Sequence, residues 1–280
     1  MAMTMENAAA VAVTDRSNAP VAGEGVHPSR PALRPLIVPT EHGGWGFLFE
    51  PLVLGLAVAP SWGGALIAVA AIFAFLSRQP LKLAMQDALR GRSYARTWWC
   101  RLFAVSMLAA AAIAIGAAVI VSGWKLAIPF AAVAPLALVA VDFDARNRNR
   151  TLLPEISGIV AMTSTAAAIP IAGGRSVLMA FAVMALLLAR GIPAILYVRT
   201  LIKRAHGQTA SALPAMVAHA VGAVAAYAIG SFVAAAAVIA LLARAAYGLA
   251  SPAPPARTLG WREIAWGTAS VIAFAVAMRM

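Results

Sequence analysis

The stretch VPTEHGGWGFLFEPLVLGLAVAPSWGGALIAVAAIFAFLSR runs from Val38 to Arg78. It holds two apolar runs separated by APSWGG, whose Gly, Pro and Ser suit a tight turn between helices. Each run nears the length at which an α-helix, rising about 1.5 Å per residue, crosses a hydrocarbon core about 30 Å thick. Glu41 and His42 precede the first run and Arg78 follows the second. The stretch reads as a hairpin of two membrane helices with its polar residues at one end.

The rest of the chain repeats that pattern. Apolar segments centred on 44–60, 62–77, 102–121, 124–141, 154–172, 176–198, 212–228, 230–247 and 263–278 predict nine transmembrane helices. The composition agrees: the 280 residues are 62% hydrophobic and 11% charged, where a soluble domain carries about 25% charged residues. The expected fold is all-α, a polytopic membrane helix bundle over residues 38–280. Residues 1–37, rich in Ala, Pro and Ser and without a helical apolar stripe, read as a disordered cytoplasmic tail. The single cysteine, Cys100, excludes an intrachain disulfide.

A formal net charge of +12 on a soluble chain would suggest nucleic acid. Here the cations stand in short loops between apolar runs, so no nucleic-acid partner is expected. With nine spans, all but three of the 22 Lys and Arg residues fall on one side; the exceptions are Lys125, Arg175 and Arg279. Cytoplasmic loops are the Lys- and Arg-rich ones. The N-terminus is therefore expected in the cytoplasm and the C-terminus outside.

Ionisable residues inside spans are costly and mark candidate sites. Glu50 lies about 10 Å along the first helix, and His42, Gly46 and Glu50, spaced by four, share a face. Arg190 lies inside the sixth span beside Gly191 and Pro193, and shares a face with Tyr197. An Arg at that depth needs an anion, either Glu50 or a ligand phosphate or carboxylate. Arg78, Lys82, Gln86 and Arg90 form a stripe if the second helix runs on past the membrane. Asp142 and Asp144 are expected to pair locally with Arg146 or Arg148. Arg92, Arg96 and Arg101 read as positive anchors beside Trp98 and Trp99. His219 reads as a histidine bonded to a neighbouring helix. The ligand-binding candidates are Glu41, His42, Glu50, Arg78, Lys82, Asp87, Arg146, Arg190, Tyr197 and Arg199. No zinc spacing, Walker loop, GxSxG elbow or Rossmann fingerprint is present, and no metal or cofactor is expected.

Pro39, Glu41, His42, Gly43 and Trp45 form a Pro-x-Glu-His-Gly-x-Trp entry that resembles the YwiC-like family of bacterial membrane proteins. That resemblance implies a multi-pass protein of the bacterial plasma membrane and carries no biochemical activity with it. A more distant likeness, to UbiA-type intramembrane prenyltransferases, lies in the layout of spans and polar loops. Arg146, Arg148, Arg150 and Pro154 are similar to the basic loop between that family's fourth and fifth spans. The resemblance implies a UbiA-like arrangement and, at most, a divergent transferase. The Asp-rich magnesium motifs are absent: only Asp87 follows the second span, and Arg190, Tyr197 and Arg199 stand where the second motif would be.

The expected function is binding of an anionic lipid or isoprenoid-like ligand in a cavity on the cytoplasmic side, among the membrane lipids that are its first partners. The alternatives are a small-solute or ion transporter and a non-catalytic membrane assembly factor.

Overall fold

The computed structural model describes residues 42–148, 150–229 and 232–280, with the backbone alone at His42 and Gly43. The tail read at 1–37 and Glu41 lie outside the described residues. The chain is helical at each of the nine apolar segments. The helices are α1 (His42–Val58), α2 (Trp62–Leu89), α3 (Ala95–Ser122) and α4 (Ile128–Ala145), the last entered through a 3-10 turn at Trp124–Ala127. Then follow α5 (Leu152–Thr163), α6 (Thr165–Ala172), α7 (Val177–Ala205), α8 (Leu213–Ala228), α9 (Phe232–Ala250) and α10 (Ala256–Ala277).

Among the described residues, six helical stretches are long and apolar enough to cross a membrane: α2, α3, the 3-10 turn with α4, α5 with α6, α7, and α9. α1 and α8 are apolar but, at 17 and 16 residues, rise only about 25 Å, short of a hydrocarbon core. α10 has the length, but Arg257, Arg262 and Glu263 make its first turns polar. The molecule is an all-α, multi-pass membrane bundle. Its large exposed apolar residues fit that reading, for example Val105, Ile113 and Ile120 on α3 and Val217, Val221 and Val224 on α8. A surface so apolar faces lipid rather than water.

α1 and the α5–α6 pair occupy the middle, in contact with α2 and α7. α6 is buried from Thr165 to Ile171. The break between α5 and α6 comes where three hydroxyls turn back on carbonyls of α5. Thr163 donates to the Ile159 carbonyl at 2.6 Å, Ser164 to Ala161 at 2.6 Å and Thr165 to Met162 at 2.8 Å. Such back-bonding competes with the helical ladder and bends it. Pro51, Pro80 and Pro193, by contrast, sit within helices that continue through them.

The contacts among the helix termini give the bundle two distinct ends, with α5 and α6 running on as one broken stretch. At one end Gly63 packs so closely that a side chain there would collide with Ser122 and press tightly on Ala172. Gly173 meets Ala59 in the same way, and Arg279 Nε donates to the Ala57 carbonyl at 2.8 Å, closing the last turn of α1. Lys125 and Arg175 lie in the connections at this end. The other end gathers the basic loops.

Candidate functional site

One helical turn or so toward the basic end from the apolar centre, four helices each contribute one charge. Arg190 of α7 donates from Nη1 to Glu50 Oε2 of α1 at 2.8 Å and from Nη2 to the main-chain carbonyl of Glu263 at 3.0 Å. The Glu263 carboxylate on α10 is paired in turn with Arg244 of α9, through Nη1 and, at 3.4 Å, Nη2. The Arg244 guanidinium lies over the Tyr197 ring at 4.2 Å and near Trp266 at 5.8 Å, in cation–π contact. Glu50, Arg244 and Glu263 lie within about 12 Å of the basic ends of their helices, counted along each axis. The two acids and two guanidiniums form a neutral quartet. Their side chains are 4% exposed at Arg190, 14% at Glu50, 11% at Arg244 and 17% at Glu263.

Glycines seal this quartet. A Cβ at Gly267 of α10 would strike Glu50 Oε1 and come within 2.7 Å of Arg190 Nη2. One at Gly248 of α9 would strike the Tyr197 hydroxyl. These positions hold glycine because the neighbouring backbone lies directly against a polar side chain.

A second group of contacts anchors the connection between α4 and α5. At its start, buried Asp144 accepts from Arg78 Nε at 2.7 Å, while Lys82 Nζ stands 3.2 Å from its other oxygen without hydrogen-bond alignment. Gln86 of the same α2 stripe reaches the Asp144 carbonyl at 3.4 Å. At its end, Arg199 donates to Glu155 at 2.7 Å and to the Arg150 carbonyl at 3.0 Å. Between these anchors Arg146, Arg148 and Arg150 are exposed, with Arg146 paired to Asp142 at 2.9 Å.

The candidates read from sequence thus separate into groups. Glu50 and Arg190 meet in the quartet, paired directly to each other, and Tyr197 lies against it under Arg244. Arg78, Lys82, Arg146 and Arg199 surround the α4–α5 connection. Asp87 belongs to neither: fully buried, it accepts from Thr97 Oγ1 at 2.6 Å and pairs with Arg96 at 3.3 Å, fastening the α2–α3 hairpin. Arg96 is therefore an ion-pair partner as well as a cation near the interface. Asp142 pairs locally as expected, but Asp144 reaches across to α2. His42 begins α1; its side chain and Glu41 lie outside what is described. His219 bonds within its own helix, Nδ1 to the Ala215 carbonyl at 2.8 Å, rather than to a neighbour.

Arg244, Gly248 and Gly267 were not singled out by sequence reasoning. Arg244 is followed by AAYG and reads as a loop cation, yet it lies two turns inside α9. Its signal was the run of apolar residues continuing beyond it to Ala250. No three His, Cys, Asp or Glu side chains converge as a metal site among the described residues.

No curated protein and no solved structure matches the chain. Over residues 38–170, which carry α1 to α6, the chain is similar to the family described as YwiC-like protein.

Proposed function

We propose that the protein binds an anionic membrane lipid, or an isoprenoid-like anion, at the basic end of its bundle and without magnesium. The observation that carries this reading is the α4–α5 connection. Asp144 and Glu155 hold it to α2 and α7 at either end, and it presents Arg146, Arg148 and Arg150 outward. A headgroup phosphate is recognised by guanidiniums held in place, whose two parallel donors match its oxygens. The quartet is charge-balanced, so its guanidiniums are already paired with carboxylates. The reading places nine spans in a bacterial plasma membrane, the basic end and N-terminus in the cytoplasm and the C-terminus outside. Reporter fusions at Ser122 and Gly207 should then report opposite sides, with Ser122 outside.

The apolar plug beyond the quartet favours one-sided binding over transport. Leu54, Val183, Val238 and Phe274 close the far half, and the hydroxyls at the α5–α6 break are spent on carbonyls of α5. Native mass spectrometry of the protein released from phosphatidylglycerol nanodiscs tests the proposal. The wild type should retain lipid, and Arg148→Gln/Arg150→Gln should lose most of it while staying folded. Equal retention by both would overturn it.

A further inference from the structure

His219 is completely buried on α8, and its Nε2 has no hydrogen-bond partner. Nδ1 lies 2.8 Å from the Ala215 carbonyl. A carbonyl only accepts, so Nδ1 carries a proton, and Nε2 of the neutral imidazole presents a lone pair. Nearby, Arg244 uses both Nη groups on Glu263, while its Nε–H is buried and also without a partner. Two buried polar atoms, one acceptor and one donor, are thus left open.

Packing brings them to one level of the bundle. Ala215, one turn from His219, clusters with Tyr197 of α7 and with Ala245, the residue after Arg244. Gly222, three residues beyond His219 on the same face, stands against the Ala189 carbonyl, 2.5 Å from where its Cβ would be. That carbonyl has lost its helical partner, because the residue four further on is Pro193, which has no N–H. These two contacts set His219 at a level between Tyr197 and Arg190 of α7.

An unsatisfied buried polar group is expensive, and two at one level of the bundle call for an occupant. It must accept from Nε–H and donate to Nε2, which a fully deprotonated anion cannot do and a neutral hydroxyl can. A metal cation is disfavoured by the two guanidiniums. We propose that His219 and Arg244 hold a hydroxyl group between them, supplied by a bound water or by the glycerol headgroup of a lipid. This inference does not depend on the lipid site at the α4–α5 connection.

Nitrogen-15 NMR of the imidazole tests it on the full chain. The variant His27→Gln/His42→Gln/His206→Gln leaves His219 as the only imidazole. It is reconstituted in nanodiscs of dioleoylphosphatidylcholine, which has no headgroup hydroxyl, and of dioleoylphosphatidylglycerol, which has. The expected spectrum has a protonated Nδ1 and an Nε2 displaced from the free lone-pair position toward the hydrogen-bonded one. Displacement in both lipids identifies water as the occupant; displacement in phosphatidylglycerol alone identifies the lipid hydroxyl. Arg244→Lys, which keeps the charge and removes Nε, should return Nε2 to the free position. A proton on Nε2, a free lone pair in both lipids, or a displacement unchanged in Arg244→Lys would overturn the proposal. If the triple variant does not fold, the wild-type spectrum minus that of His219→Gln gives the same readout.

Discussion

Four helices of this bundle carry two opposite kinds of interior within a few turns of each other. Toward the far end, α1 supplies Leu54 and Val58, α7 Val183 and Leu186, α9 Val238, and α10 Val271 and Phe274, all packed in one apolar cluster. Toward the basic end the same helices supply Glu50, Arg190, Arg244 and Glu263. The apolar cluster is a sum of many small contacts, each replaceable in part. The quartet has no such redundancy: each charge is tolerable only because its partner is there. The difference predicts where the molecule breaks under mutation and where it bends.

The largest effect is expected at the Glu50–Arg190 pair, 2.8 Å apart and almost wholly buried. Glu50→Gln or Arg190→Gln leaves the other charge uncompensated, at a cost of about 3–5 kcal/mol. Adding the second change should recover a large part of that loss, since two neutral amides need no counter-charge. Folded yield and thermal unfolding in a mild detergent measure both. A double variant as unstable as the sum of the singles would show that the charges act independently and break the comparison.

Leu54→Ala probes the other half. Leu54 is fully buried, and removing its side chain should cost about 2–5 kcal/mol through lost contacts and the space left behind. No single second change should rescue it, because no one partner carries the loss. Rescue of the Leu54 variant by a lone substitution elsewhere in the cluster would erase the distinction between the halves.

Gly267→Ala places a methyl group against the quartet, 2.7 Å from Arg190 Nη2 and closer still to Glu50 Oε1. Overpacking of this kind costs about 1–3 kcal/mol. The same methyl in a Glu50→Gln/Arg190→Gln background should cost less, because the unpaired amides are free to move aside. An equal cost in both backgrounds would place the collision with backbone rather than with the charged pair.

Much of this was legible in the sequence. The apolar runs located the helices, because 1.5 Å per residue and a hydrocarbon core leave little freedom in length. Glu50 and Arg190 were conspicuous because charges are rare in such runs. The partners were less legible. Asp144 and Arg146 are neighbours in sequence, yet Asp144 turns to Arg78 and Lys82 on a helix sixty residues earlier; local spacing favours the nearest Arg and is silent about helix packing. Gly248 and Gly267 resembled any small residue at a helix interface. Only the placement of Tyr197 and Glu50 against them makes them particular. The number of membrane crossings was blurred for a related reason. α1, α8 and α10 are each too short or too polar for a crossing by length and hydropathy alone, and they pack against longer helices that bury what they cannot.

The smallest effect on stability is expected at Arg146, and there the comparison becomes sharpest. Arg146 and Asp142 are paired at 2.9 Å, but their side chains are 58% and 53% exposed. Water and salt screen such a pair, and exposed ion pairs contribute about 0–1 kcal/mol. Arg146→Gln should therefore unfold at nearly the wild-type temperature, where Arg190→Gln should not. Its effect belongs to binding instead. If the α4–α5 connection holds an anionic headgroup, losing one of its exposed cations should lower the lipid retained from phosphatidylglycerol nanodiscs. The wild-type advantage should shrink as ionic strength rises, because surface charges are screened over about 10 Å at 0.1 M salt. Native mass spectrometry across a salt series separates the cases. A Tm change as large as that of the quartet variants would make Arg146 part of the structural core. An unchanged Tm together with unchanged lipid retention at every salt concentration would remove it from the binding surface.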